Sequence, residues 1–278
     1  MTPGPIGIFD SGYGGLTVFR DIHALLPGYD YIYLGDNART PYGNRSHDMV
    51  YRFTLECVEY LFEQGCHLVI LACNSASANA LRTIQQNDLE SFGDHKRVLG
   101  VIRPTTERLA TLSQTGHIGI CATEATVRSG SYLIEAHEYA QGLEVHQQAC
   151  PLWVPLVEAG ELDSEVTRLI TQRYITELLR RDDRIDAVLL ACTHYPLLWD
   201  VIRDELPDEV GLFSQGRMVA EALVDYLERH PDMDALCSKD GGIRFLTTDD
   251  PKDFDAHGSQ FFGQPVRSES VDIGKRKS

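Results

Sequence analysis

The sequence contains no CxxC pair, no phosphate loop ending in GK[ST], no complete GxGxxG, and no apolar run long enough to cross a bilayer. Each absence removes a class of function. Without CxxC there is no dithiol redox motif. The nearest approaches to a metal spacing, Cys66-His67 and Cys192-Thr193-His194, lack a second ligand at finger distance, so no metal site is expected. Basic residues are also scarce: 25 Lys and Arg stand against 41 Asp and Glu, a formal charge of −16. Nucleic acid wants a basic footprint, so no nucleic-acid partner is expected, and the acidic balance reads as solubility. The opening MTPGPIGIFD has neither a basic n-region nor a long apolar h-region, so no signal peptide and no membrane partner are expected. Seven cysteines are an odd number and fit no disulfide framework in a chain with this much core, which favours a reducing, cytoplasmic setting.

What is present is a large apolar content arranged in short runs. Across 278 residues, 43% are hydrophobic and 24% charged, enough to bury a core. Strand candidates are 5–10, 29–36, 67–73, 97–102, 117–123, 143–149, 187–193 and 211–214. Amphipathic stretches at 47–65, 74–87, 163–181 and 216–230 lie between them. Alternation of this kind predicts an α/β fold with mainly parallel sheets covered by helices.

The chain also repeats itself. Ile6-Gly7-Ile8 recurs as Ile118-Gly119-Ile120 and LVILACNS (68–75) as AVLLACTH (187–194), at offsets of 112 and 119 residues. Two pseudo-symmetric lobes follow, of the flavodoxin-like or Rossmann-like kind, with a cleft between them. The first is expected over 1–97 plus 212–278 and the second over 98–211, the helix at 216–230 returning to the first lobe. The basic tail 274–278 reads as a solvated end.

Ligands of open α/β sheets bind at the carboxyl ends of the strands. Four segments place polar residues there: FDSGYGG (9–15), LGDNARTPYG (34–43), ACNSASANAL (72–81) and ACTHYPLL (191–198). The glycines after Asp10 and Ser11 read as a tight turn that lets backbone N–H groups approach an anion. Asp10 either caps the next helix or orients a catalytic group. Asp36 either satisfies its own loop, with Arg39 as a partner, or takes part in the chemistry. Five cysteines (57, 66, 121, 150 and 237) read as small buried hydrophobes. Cys73 and Cys192 differ because each ends a strand next to an expected helix start, where a thiolate is favoured. Lowering a thiol from about 8.5 to near 7 takes roughly 2 kcal/mol.

Two thiols, one per lobe, facing one cleft suit racemisation. One group removes a proton from a carbon and the other returns a proton to the opposite face. A hydrolase using one cysteine with His194 as base is the rival enzyme class, and a two-lobed binding protein without chemistry is a third reading. The first would leave a cysteine idle and the second would leave both.

Taken in order, IGIFDSGYGGLTV, YLGDNARTPYG, VILACNSASANAL, IGICATEATVRSGSY, PLVEAG, VLLACTHYPLL and the tail FLTTDDPKDFDAHGSQFFG resemble the glutamate racemase family. The resemblance runs from about residue 6 to about residue 263. It implies interconversion of L- and D-glutamate without a cofactor, D-glutamate supply to peptidoglycan, and a homodimer. Cys73 and Cys192 would move the protons, Asp10 would assist Cys73 and His194 would assist Cys192, with Asp36 and Glu158 in supporting roles. Substrate contacts would fall on Asp10, Ser11, Tyr42, Gly43, Asn74, Ser75, Thr193 and His194. An aspartate racemase is the alternative within the superfamily, and the CTHYP segment around Cys192 resembles the glutamate enzymes. The sequence departs from the family pattern at Ser75, where Thr is usual, at Asn37, at Ala122 and Ala191, and at Arg103, where Glu is frequent. The hydroxyl of Ser75 offers the same hydrogen bond as threonine.

Overall fold

The protein is described by a computed structural model covering residues 1–273; the basic tail 274–278 lies outside the described residues. Strands β1 (Ile6–Asp10), β3 (Leu68–Leu71) and β7 (Ala187–Ala191) are buried along their whole length. Their unbroken apolar runs mark strands covered on both faces, as a central parallel strand must be. They belong to two sheets. The first has the order β10-β9-β2-β1-β3-β4, with β2 at Tyr31–Gly35, β4 at Arg97–Gly100, β9 at Ile243–Thr247 and β10 at Ser268–Ser270. The second has the order β6-β5-β7-β8, with β5 at His117–Ala122, β6 at Glu144–Ala149 and β8 at Gly211–Ser214.

Among the described residues every strand pairing is parallel. Stripped of β9 and β10, the first sheet reads β2-β1-β3-β4 and the second β6-β5-β7-β8, one topology used twice. This is the flavodoxin-like order, whose switch point falls between the first and third strands of each unit. The repeats read from sequence land on it: Ile6–Ile8 and Ile118–Ile120 lie in β1 and β5, and Cys73 and Cys192 follow β3 and β7.

Two details differ from the sequence expectation. The lobe boundaries at 97/98 and 211/212 each cut a strand, whereas β4 lies wholly in the first sheet and β8 wholly in the second. The chain changes sheet only after residue 100 and again after residue 214. The C-terminal strands β9 and β10 were not among the expected strands. They add to the first sheet beyond β2, where β9 pairs Phe245 with Tyr33.

The lobes share a core. One apolar cluster runs from Ile6, Ile8, Leu16 and Phe19 in the first lobe to Val188, Leu190 and Trp153 in the second. The helix Gly216–Arg229 leaves the second sheet and packs along the helix Leu16–Leu25 of the first. A Cβ on Gly216 would sit 1.9 Å from Asp21 Oδ2, so a larger residue there would have to push that carboxylate aside.

Candidate active site

Strand β1 delivers Asp10 to its carboxyl end, fully buried. One carboxylate oxygen accepts the Gly12 N–H at 2.9 Å. The other, Oδ1, is buried and, among the described residues, makes no hydrogen bond of good geometry, although the Gly15 N–H lies near the carboxylate. Burial pushes the Asp10 carboxyl up, against the pull of the His194 cation and the N–H groups of Gly12 and Gly15. A buried oxygen so poorly satisfied in a cleft is a group waiting for a partner.

Cys73 caps the short helix Asn74–Asn79, where its sulfur accepts the Ala76 N–H at 3.5 Å and lies 3.5 Å from Ser11 Oγ. Only 5% of the residue is exposed. Its environment reverses the expectation of a lowered pKa. Desolvation comes first and the Asp10 charge second, outweighing the bonds from Ser11 and Ala76, and the thiol is pushed up to about 12. The helix start brings too little positive potential to offset burial beside a carboxylate. Cys73 therefore rests as a protonated thiol.

Cys192 follows β7 and is 6% exposed. The segment after it is a 3-10 turn, Tyr195–Leu198, rather than an α-helix. Its polar partner is a side chain. His194, buried, lies beside Cys192, and its Nε2 lies 3.2 Å from Glu158 Oε1. Burial alone would strip the proton from this imidazole, but the interactions with Cys192 and Glu158 prevail and raise it to about 10. His194 is thus a cation at neutral pH.

The two thiols share one site. Cys192 is near enough to raise the Cys73 thiol, and Asp10 feels both His194 and Glu158 across the cleft. The loop after β1 threads between the lobes. A Cβ on Gly14 would come within 2.3 Å of Thr193 Oγ1 and 2.4 Å of His194 Nδ1, so only glycine fits. Thr17 Oγ1 donates to the Thr193 carbonyl at 3.0 Å and fixes the same junction.

Other expected residues take different places. Asp36 is consumed by its own loop: Arg39 Nε binds it at 2.7 Å, Thr248 Oγ1 at 2.9 Å, and the Tyr42 hydroxyl donates to it as well. The expected Asp36–Arg39 pair is present. Tyr42 is thereby buried, and Gly43 lies against the second lobe, where a Cβ would meet Thr123 at 3.0 Å. Ser75 Oγ lies 3.0 Å from Thr123 Oγ1. The Asn74 side chain points into a separate network: Nδ2 donates to Gln215 Oε1 at 2.6 Å, and Oδ1 accepts from Tyr132 at 2.8 Å. Gln215 also donates to Thr105 Oγ1 at 3.0 Å.

Among the described residues, one group of His, Cys, Asp and Glu side chains has ligand spacing, and it lies outside this cleft. A groove of about 800 Å³, lined by Arg82, Arg103, Glu135 and Tyr139 among others, also lies apart from the thiols. Arg103, the charge departure noted in the sequence, pairs there with Glu107 at 3.2 Å and stacks over Tyr139 at 3.9 Å.

Comparison with known proteins agrees with this geometry. Residues 6–223 match the family described as Asp/Glu/Hydantoin racemase. The chain belongs to that family. It is an enzyme, an amino-acid racemase of the isomerase class. It is 41% identical to a glutamate racemase of Dinoroseobacter shibae, with 96% of this chain and 98% of the relative covered. It superposes on the crystal structure of a glutamate racemase isoform from Bacillus anthracis with a TM-score of 0.88, 31% identity and 98% of each chain covered. The Francisella tularensis glutamate racemase solved with D-glutamate gives a TM-score of 0.85 at 30% identity, covering 96% of this chain and 97% of that one. No helix among the described residues is long and apolar enough to cross a membrane.

Sequence reasoning missed four residues that the structure places at or around the candidate site. Thr123 follows β5 as Ser11 follows β1, and the 112-residue offset of the internal repeat maps one onto the other. That signal was available. Thr105, Tyr132 and Gln215 had none, because the Asn74 network joins three segments far apart in the chain.

Proposed function

We propose that this racemase interconverts L- and D-glutamate without a cofactor, with Cys73 and Cys192 as the two proton-transferring groups. The observation that supports it most is the pairing of two unequal thiols at the switch points of duplicated sheets: Cys73 protonated beside Asp10, and Cys192 beside the His194 cation. Proton removal on one face of a carbon and delivery to the other needs one acid and one base at the start. Cys73 holds a proton to give. To take the substrate's α-proton Cys192 must start the step as a thiolate, and the His194 cation beside it is placed to stabilise that anion, with Glu158 holding the imidazolium in place. In the reverse direction the two sulfurs exchange roles, and Asp10 assists Cys73.

The α-carboxylate of the substrate would be held by Ser11, Ser75 and Thr193 together with the backbone N–H groups after the strands. Asp10 contributes its Oδ1 for the ammonium group. Asp36, Tyr42 and Asn74 act on this reading through position, keeping the loop at 36–43 and the helix start at 74 in place. Both thiols are nearly closed to solvent, so the lobes must part to admit substrate. The product D-glutamate would serve peptidoglycan synthesis, and the enzyme would work in the cytoplasm as a homodimer.

Proton NMR in D2O tests the reaction directly. L-glutamate should lose its α-proton signal while D-glutamate appears, and L-aspartate should remain unchanged. Exchange of aspartate instead would transfer the same mechanism to an aspartate racemase, and exchange of neither would sink the reading.

A further inference from the structure

At the end of the second sheet opposite the thiols, three side chains converge. His117 opens β5, His146 lies on the neighbouring β6, and Asp182 sits in the connection between the helix Glu165–Leu179 and β7. In the parallel register His146 stands beside Gly119, two residues along from His117, so both imidazoles project from the same face of the sheet. Their rings stack at 6.0 Å. Asp182 Oδ2 is 3.2 Å from His117 Nδ1 and 3.5 Å from His146 Nε2, and the three atoms lie within 4.8 Å of one another. A tetrahedral ion with bonds of about 2.0–2.1 Å sets its ligand atoms about 3.3 Å apart.

A second observation points the same way. His117 is 7% exposed, and among the described residues neither its Nδ1 nor the Nε2 of His146 makes a hydrogen bond, although both face the carboxylate. Buried nitrogens that meet a carboxylate without a well-aligned hydrogen bond carry a free-energy cost that a shared ligand would remove.

We propose that His117, His146 and Asp182 bind a first-row divalent cation, Zn²⁺ by preference, with water in the fourth position. Two imidazoles and one carboxylate, with both imidazoles near tetrahedral distance of the carboxylate oxygen, suit zinc, whereas magnesium and calcium want more oxygen ligands. The site ties the first strand of the second lobe to its edge strand and to the loop before β7. It lies some five residues of β5 from the thiol end of the sheet, about 16 Å at strand rise. Its role is therefore to hold the lobe together and not to act on the substrate.

One group opposes the ion. Arg184 Nη2 binds Asp182 Oδ2 at 2.7 Å and its Nε binds Oδ1 at 2.9 Å. The Arg184 side chain is 62% exposed and free to swing away, but a cation must displace it. Arg184→Gln should therefore tighten binding several-fold, the reverse of what loss of a structural ion pair alone would do to the metal affinity.

The test is titration of the chelator-treated, full-length protein with Co²⁺ and then Zn²⁺. One Co²⁺ per chain is expected, with the visible bands of a tetrahedral site and no thiolate-to-cobalt charge transfer, and Zn²⁺ should displace it and raise Tm. His146→Gln and Asp182→Asn should each lose the bands and the Tm response while racemisation continues at its normal rate. Absence of binding at millimolar Co²⁺, charge-transfer bands from cysteine, or binding unchanged by His146→Gln would each overturn the site.

Discussion

The two thiols occupy equivalent positions in duplicated folds, yet their surroundings are opposite in charge. Cys73 sits with a buried carboxylate, Asp10, one of whose oxygens makes no well-aligned hydrogen bond among the described residues. Cys192 sits with an imidazolium, His194, itself held by Glu158. Duplication of the strand order explains why each sheet delivers a sulfur to the cleft. It does not explain the partners, which come from non-equivalent places: Asp10 from the first strand of its own sheet, His194 from two residues beyond Cys192. Symmetry of fold brings two sulfurs to one cleft, and asymmetry of charge gives them unlike neighbours, a carboxylate for Cys73 and an imidazolium for Cys192.

The largest effect should come from removing either sulfur. Cys73→Ala and Cys192→Ala should each lower racemisation by about 10²–10⁴-fold or more, the usual range for a positioned acid or base. The measurement is D-glutamate formation and α-proton exchange, started separately from each enantiomer. Retention of full activity by either variant would break the comparison at its root.

Replacing the unequal partners sharpens it. Enantiomers have equal free energies, so kcat/KM must match in the two directions for any variant. The asymmetry can show only in kcat and KM separately and in the isotope effects. His194→Gln and Asp10→Asn should each cost about 10²-fold in turnover and should shift the kcat ratio between L and D in opposite senses. A common shift would mean that the two groups serve the site as a unit.

The same residues differ in stability. The folded pKa of His194, about 10, lies above its unfolded value of about 6.5. Its stabilisation is complete below about 6.5 and is lost as pH rises through about 10, so His194→Gln should flatten the alkaline decline of Tm. Asp10 is also raised, but for an acid held in a desolvated place. Its penalty grows as pH climbs above the unfolded value of about 3.9 through the raised one, so Asp10→Asn should raise Tm at neutral pH while lowering activity. Thermal unfolding across the pH range tests both signs.

Much of this contrast was legible in the sequence. The apolar runs ending in Cys73 and Cys192 place both sulfurs, because a strand buried on both faces leaves a plain hydrophobic signature and the repeat marks it twice. Asp10 and His194 stand beside those ends and were read with them. The charge state of Cys73 was not legible, since it depends on depth of burial and on the distance to Asp10, neither of which a linear pattern contains. Asp36 shows the same limit. Its strand-end position resembles that of Asp10, but a tyrosine, an arginine and a threonine from the C-terminal part of the chain occupy its oxygens. Gly14 is intermediate: the glycine run was visible, but its need to clear Thr193 and His194 appears only when the lobes are together.

The smallest expected effect concerns Ser75, where the family usually has threonine. Its hydroxyl lies 3.0 Å from that of Thr123, and the residue is 4% exposed. Ser75→Thr retains the hydroxyl and adds one methyl group beside the second lobe. Activity should therefore stay within about twofold, because the hydrogen bond survives and the added methyl acts on stability, at a typical cost of about 1–3 kcal/mol in a packed site. Ser75→Ala separates the two contributions: it removes the hydroxyl and leaves Thr123 a lost partner, at about 1 kcal/mol. If threonine harmed turnover more than alanine, space at the lobe junction rather than the hydrogen bond would be the constraint, and the two halves of the cleft would be held apart by shape as well as by charge.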